Sequence, residues 1–159
     1  MFDWDTVCSR LRAYPPHFHQ ILSPCPVERI EAVENELGKL PPALREMLRR
    51  FNGAELYRSP NPFVTIFGIS TTPPLPPLEW APEWCIDTFT RKWRAAGTNR
   101  QNDWAIAMTN YGGLILLDGN ESIKEWDTSQ SIWLSRNLAV GEWMEKVIDE
   151  GEIVIAETG

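Results

Sequence analysis

The chain has 159 residues, 43% of them hydrophobic and 23% charged, with a formal net charge of −7. That length and balance predict one globular domain with a core of its own and exclude intrinsic disorder. The acidic excess excludes direct nucleic-acid binding, which needs a basic surface, and no run reaches the roughly 18 apolar residues of a membrane span.

The charge is unevenly placed. Residues 1–53 carry seven basic and seven acidic groups, residues 54–100 five and four, and residues 101–159 three and eleven. An acidic last third reads as a solubility device or as a docking face for something basic. The eight tryptophans are expected in the core, in a lid or at a binding surface. Three cysteines without a close-spaced pair, and a start (MFDWDTV) without a basic-then-apolar leader pattern, predict a cytoplasmic protein.

Residues 3–13 begin with Asp3 and Asp5, acids suited to a helix start. Trp4, Val7, Cys8 and Leu11 follow at i, i+3, i+4, i+7, and Tyr14-Pro15-Pro16 ends the helix. The linker after it holds both histidines, His17 and His19, and with Cys8 and Cys25 their spacing matches no usual zinc pattern. No metal and no cofactor is expected.

The sharpest pattern is Val27 to Gly53. Ile30, Val33 and Leu37 form one apolar stripe, with Glu28, Glu31, Glu34 and Glu36 around the other side. Gly38 stands where a left-handed cap is wanted, and Pro42 opens a second helix. In that helix Leu44, Met47, Leu48 and Phe51 face inward, Arg45, Arg49 and Arg50 face water, and Asn52-Gly53 stops the run.

Ala54–Tyr57 is a short extended piece, and Phe63–Ile69 reads as a central strand. The tract TTPPLPPLEWAP reads as a stiff connector, its PPLPP core being the alternative of a polyproline ligand. Pro82 then opens a helix carrying Ile86, Phe89 and Trp93, which ends near Gly97. From Asp103 the period changes to strands: 104–108, 114–117, 123–126 and 132–134, joined at Asn110–Gly113 and at Asp118-Gly119-Asn120, where positive φ is expected. Val140, Trp143, Met144, Val147 and Ile148 predict a last helix that stops at Gly151, with EIVIAE as an edge strand.

A catalytic reading lacks its parts. There is no G-x-S-x-G elbow, P-loop or dinucleotide glycine pattern. Glu125 and Asp127 read as solvated strand acids, and Asp118-x-Asn120-x-Ser122 lacks the glycine and closing glutamate of a calcium loop. A non-enzymatic protein is expected.

The order of signals nonetheless resembles a known group. Ile30, Glu34, Leu37 and Gly38 form I-x-x-x-E-x-x-L-G, followed by Leu40-Pro41, a short helix and Asn52-Gly53. Later come a strand opening at Trp104, the Gly112-Gly113 turn, a strand ending at Asp118, and I-x-x-W-D at Ile123, Trp126 and Asp127. This is similar to the SUKH superfamily, which joins bacterial immunity proteins and fungal cell-wall-assembly regulators. The resemblance covers about residues 27–56 and 103–150.

It implies a single α+β domain over 1–159, residues 1–26 being an extension, with a mixed, mostly antiparallel sheet flanked by helices. It also implies a cytoplasmic protein that binds and neutralises a toxin domain, a nuclease or another enzyme. The fungal relatives suggest the alternative of a regulatory or scaffolding module with a housekeeping partner. Joined to the acidic last third, it points to a face made of Glu55, Asp103, Tyr111, Asp118, Glu121, Glu125, Trp126 and Asp127 that covers a basic toxin.

Overall fold

The computed structural model describes residues 3–14, 16–59, 61–71 and 84–158. The proline-rich connector and Pro82 lie outside the described residues, and the helix expected to open at Pro82 starts instead at Ile86, after Cys85 in extended conformation. Among the described residues five α-helices, α1 (Trp4–Arg12), α2 (Val27–Leu37), α3 (Pro42–Arg50), α4 (Ile86–Ala95) and α5 (Val140–Thr158), surround one sheet. Its strands are β1 (Gln20–Ile21), β2 (Ala54–Leu56), β3 (Val64–Ile66), β4 (Trp104–Thr109), β5 (Gly113–Leu117), β6 (Ser122–Asp127) and β7 (Ile132–Ala139).

The seven strands lie side by side in chain order, and every pairing is antiparallel. The fold is thus α+β as the resemblance implied, with a simple meander for its sheet. β4 and β5 bury almost every side chain because helices cover both faces of the sheet centre. On β6 the faces separate: Lys124 and Trp126 reach the side of α4, where Asp103 and Trp93 lie, while Glu125 points into a crevice with Trp143 and Val147 of α5.

α1 starts as its sequence dictates, with the Asp3 carboxylate accepting from the N–H of Asp5 at 2.9 Å and of Thr6 at 3.4 Å. The α2–α3 turn departs from the expected wet face. Glu34 is not solvated: its side chain is 6% exposed, pairs with Arg45 at 3.2 Å and accepts from the Leu40 N–H at 3.0 Å. Its place in the I-x-x-x-E motif is therefore a bracket that holds the turn after Gly38, whose φ of +104° and ψ of 172° suit glycine alone.

Asn52 does more than stop α3. Its Nδ2 donates to the Ile69 carbonyl at 3.0 Å, and its Oδ1 accepts from the Ile69 N–H at 2.7 Å. Its own N–H donates to the Ser23 carbonyl. A Cβ on Gly68 would sit 2.2 Å from the Asn52 carbonyl oxygen, so the two backbones meet only because Gly68 has none.

Further expectations fail. In the Asp118–Glu121 turn the positive φ falls on Glu121 (62°), with Gly119 and Asn120 at negative values. The last helix does not stop at Gly151, and residues 152–157 form no edge strand. The apolar stripe of α5 runs on through Gly151 to buried Ile155, and Gly151 lies flat against the ring of buried Tyr57. It is a contact glycine, and the sequence offers no sign separating that from a helix stop. Gly151→Ala would bring a Cβ to 2.2 Å from Tyr57 Cδ2. Overpacking of that kind lowers stability by about 1–3 kcal/mol, read from the urea-unfolding midpoint; an unchanged midpoint would refute the contact.

Candidate partner-binding surface

The eight residues expected to form one acidic face are dispersed. Glu55 on β2 is buried and lines a cavity of about 460 Å³ with Arg58, Thr65, Trp84, Thr109 and Asn110. Burial raises its carboxyl above the ordinary range, and the Arg58 charge opposes that only in part. Asp103 is buried too, accepting from Trp93 Nε1 and from Lys124 Nζ, each at 2.9 Å.

Glu125 is buried beneath α5 and accepts from the Tyr111 hydroxyl at 2.6 Å. A Cβ on Gly113 would lie 2.4 Å from Glu125 Oε2, which explains the second glycine of the Gly112-Gly113 pair. Asp118 and Asp127 brace their own turns. Asp118 Oδ1 accepts from the N–H of Asn120 and of Ser122, and Asp127 Oδ1 from Ser129 and Gln130. The Ser129 hydroxyl, with these backbone donors, holds the Asp127 carboxyl below its usual range.

Glu121 reaches across the molecule to accept from the Ala43 N–H at 2.8 Å, capping α3, which has no cap of its own. Trp126 belongs to a cluster with Trp93 and Trp133, in edge-to-face contacts at 5.5 and 4.8 Å. The Arg100 guanidinium lies 3.7 Å from the Trp93 ring and Lys124 Nζ 5.2 Å from Trp133. Of the eight, only Tyr111 presents a broad surface, 59% exposed. Its hydroxyl end is tucked in, and that desolvation, with the Glu125 carboxylate beside it, raises the phenol above its ordinary range while the ring stays in water.

The acid of the last third is exposed elsewhere, on α5. Its buried stripe of Trp143, Met144, Val147 and Ile148 leaves Glu142, Glu145, Asp149, Glu150 and Glu157 in solvent, with Lys146 the one base on that helix. Asp149 and Glu152 bind Arg10 of α1 at 2.8 and 3.1 Å. Glu145 and Glu150 make no ion pair among the described residues, and Glu150 adjoins the Tyr111 hydroxyl closely enough to act on it. The period of the helix carries the signal for this face, since the positions outside its apolar stripe are acidic.

Two outcomes follow from the buried carboxylates. The raised folded value of Glu55 means that its ionisation opposes folding once pH passes its unfolded value. Glu55→Gln is therefore more stable than the parent at pH 7, and the difference vanishes below about pH 4 in pH-dependent unfolding. Lys124→Met leaves the Asp103 carboxylate buried without its cation and lowers stability by about 3 kcal/mol in the same assay.

Among the described residues, no helix is long and apolar enough to cross a membrane, and no three His, Cys, Asp or Glu side chains converge as metal ligands. A comparison with curated proteins finds no match. The family model for SMI1 / KNR4 (SUKH-1) matches residues 24–152, across both helices of the α2–α3 pair, β2 to β7 and most of α5. The chain belongs to the SMI1 / KNR4 family (SUKH-1).

Proposed function

We propose that this chain is a cytoplasmic immunity-type protein that binds a basic toxin domain and blocks it by occlusion, without chemistry of its own. The observation that carries this reading is the row of solvent-facing carboxylates on α5 beside the exposed ring of Tyr111. A nuclease domain holds its substrate by a cationic channel, and an acidic helix is complementary to such a channel. Opposite charge raises the encounter rate, and a rigid aromatic ring among near-neutral contacts supplies the kind of anchor that slows dissociation.

The contact face is therefore moved from the sheet hairpins to α5 and the β4–β5 turn: Tyr111, Glu142, Glu145 and Glu150. Charge reversal at Asp118, Glu125 or Asp127 is a poor test, because two of them hold turns and the third is buried.

The test is co-purification with the protein encoded by the adjacent gene, followed by binding kinetics. Glu145→Lys and Glu150→Lys together slow association about tenfold at low salt, and the deficit shrinks as salt screens the charges. Tyr111→Ala speeds dissociation about tenfold with little change in association. An association rate indifferent to both charge reversal and salt, or capture of a resident housekeeping protein alone, overturns the proposal.

A further inference from the structure

The cavity of about 460 Å³ over β2, β3 and β4 has a floor set by strand register, and its volume suits a small molecule or one long side chain. Glu55 pairs across to Thr65 and Thr65 to Met108, so side chains from three neighbouring strands stand in one row on one face. The row continues through Leu114 to Trp126, which puts the cavity on the α4 side of the sheet, opposite the acidic helix. Trp84, in the run into α4, and Pro62, just before β3, supply apolar wall.

Two polar side chains in that floor are buried and unanswered. Glu55 is 8% exposed and Thr65 5%. Neither side chain makes a hydrogen bond or an ion pair among the described residues. Yet neither the Glu55 oxygens nor the Thr65 hydroxyl is sealed off, so the surface they keep is reached from the cavity. Arg58 lines the same space, but its guanidinium turns to the His17 and His19 carbonyls, each at 3.3 Å, and forms no ion pair with Glu55. Its charge offsets the desolvation of the carboxylate only in part, and the acid stays above its ordinary range. Buried polar groups are almost always partnered, so a desolvated carboxylate open to a cavity points to a cationic donor that occupies it.

The acceptors and walls narrow the class. Two carboxylate oxygens beside a hydroxyl oxygen suit a fork of parallel N–H donors. Walls of Trp84, Met108 and Pro62 disfavour an ion that holds its water tightly. A guanidinium meets both conditions, because it is planar, weakly hydrated and lies well against aromatic rings, whereas an ammonium is a compact and strongly hydrated charge. We propose that this cavity binds a guanidinium carried on a short apolar stem, with Glu55 accepting two of its N–H groups and Thr65 a third.

The experiment uses the whole chain, titrated at pH 7 with n-butylguanidinium, n-butylammonium and the neutral n-butylurea. Binding is read by calorimetry and by the backbone amide shifts of Glu55 and Thr65. The guanidinium should bind and move both signals, with the ammonium and the urea at least about tenfold weaker. Glu55→Gln, which is expected to be the more stable protein at pH 7, should weaken guanidinium binding about tenfold while still folding. The proposal falls if the guanidinium does not bind, if the ammonium or the urea binds as well, or if Glu55→Gln binds normally. An acetylated and amidated Gly-Arg-Gly peptide separates two sources of the group. Equal binding of the peptide assigns an arginine side chain of a protein, and its failure beside a bound n-butylguanidinium assigns a free small molecule. None of these outcomes depends on a toxin or on α5, so the cavity and the acidic helix stand or fall separately.

Discussion

The side chain of Asn52 stands in for a missing piece of strand. It donates to and accepts from Ile69 as a neighbouring backbone would, while its main-chain N–H holds Ser23. Three segments distant in sequence are thereby joined at one buried residue: the end of α3, the run into α2 and the chain leaving β3. Gly68 lets the backbones approach, and its carbonyl then accepts from the Ile86 N–H at the start of α4. Buried amide and carbonyl groups left without partners are strongly unfavourable, so this junction sets where α2, α3 and α4 can lie around the sheet.

Charge is partitioned by the same logic. Carboxylates brought inside the fold have acquired partners: Glu34 with Arg45, Asp103 with Lys124 and Trp93, Glu125 with Tyr111, and Asp87 with the Ser70 N–H and hydroxyl. Burial pushes Asp87 up, yet its hydrogen bonds from Ser70 outweigh that and hold it below its usual range. Glu55 is the contrast, desolvated without comparable compensation. Acids that cap turns and helices, Asp3, Asp118, Glu121 and Asp127, satisfy backbone donors at element ends. The outer side of α5 keeps a row of its carboxylates in solvent.

The family-shared part and the extension are packed into one scaffold. The acidic helix belongs to the part of the chain that the family shares, and a rigid sheet supports it. The cavity between α1 and the short β1 edge is lined mostly by the extension, with Pro24 and Arg50 from the matched part. Arg10 ties α1 to α5 through Asp149 and Glu152, so the extension is also part of the domain's packing.

The sequence by itself determined the local structure: the stripes of α1 to α5, the hairpin order of β4 to β7, and a family pattern in Ile30, Glu34, Gly38, Asn52-Gly53 and Gly112-Gly113. These depend on period and on backbone preference, which neighbours in the chain dictate. Only the tertiary structure decided which charges meet water. Asp103, Glu121 and Glu125 read as surface acids because nothing within a few residues of them reveals Lys124, Ala43 or Tyr111 as partners. Gly151 read as a stop because the Tyr57 ring that needs its bare Cα lies 94 residues earlier in the chain. Period is a local quantity and burial is not.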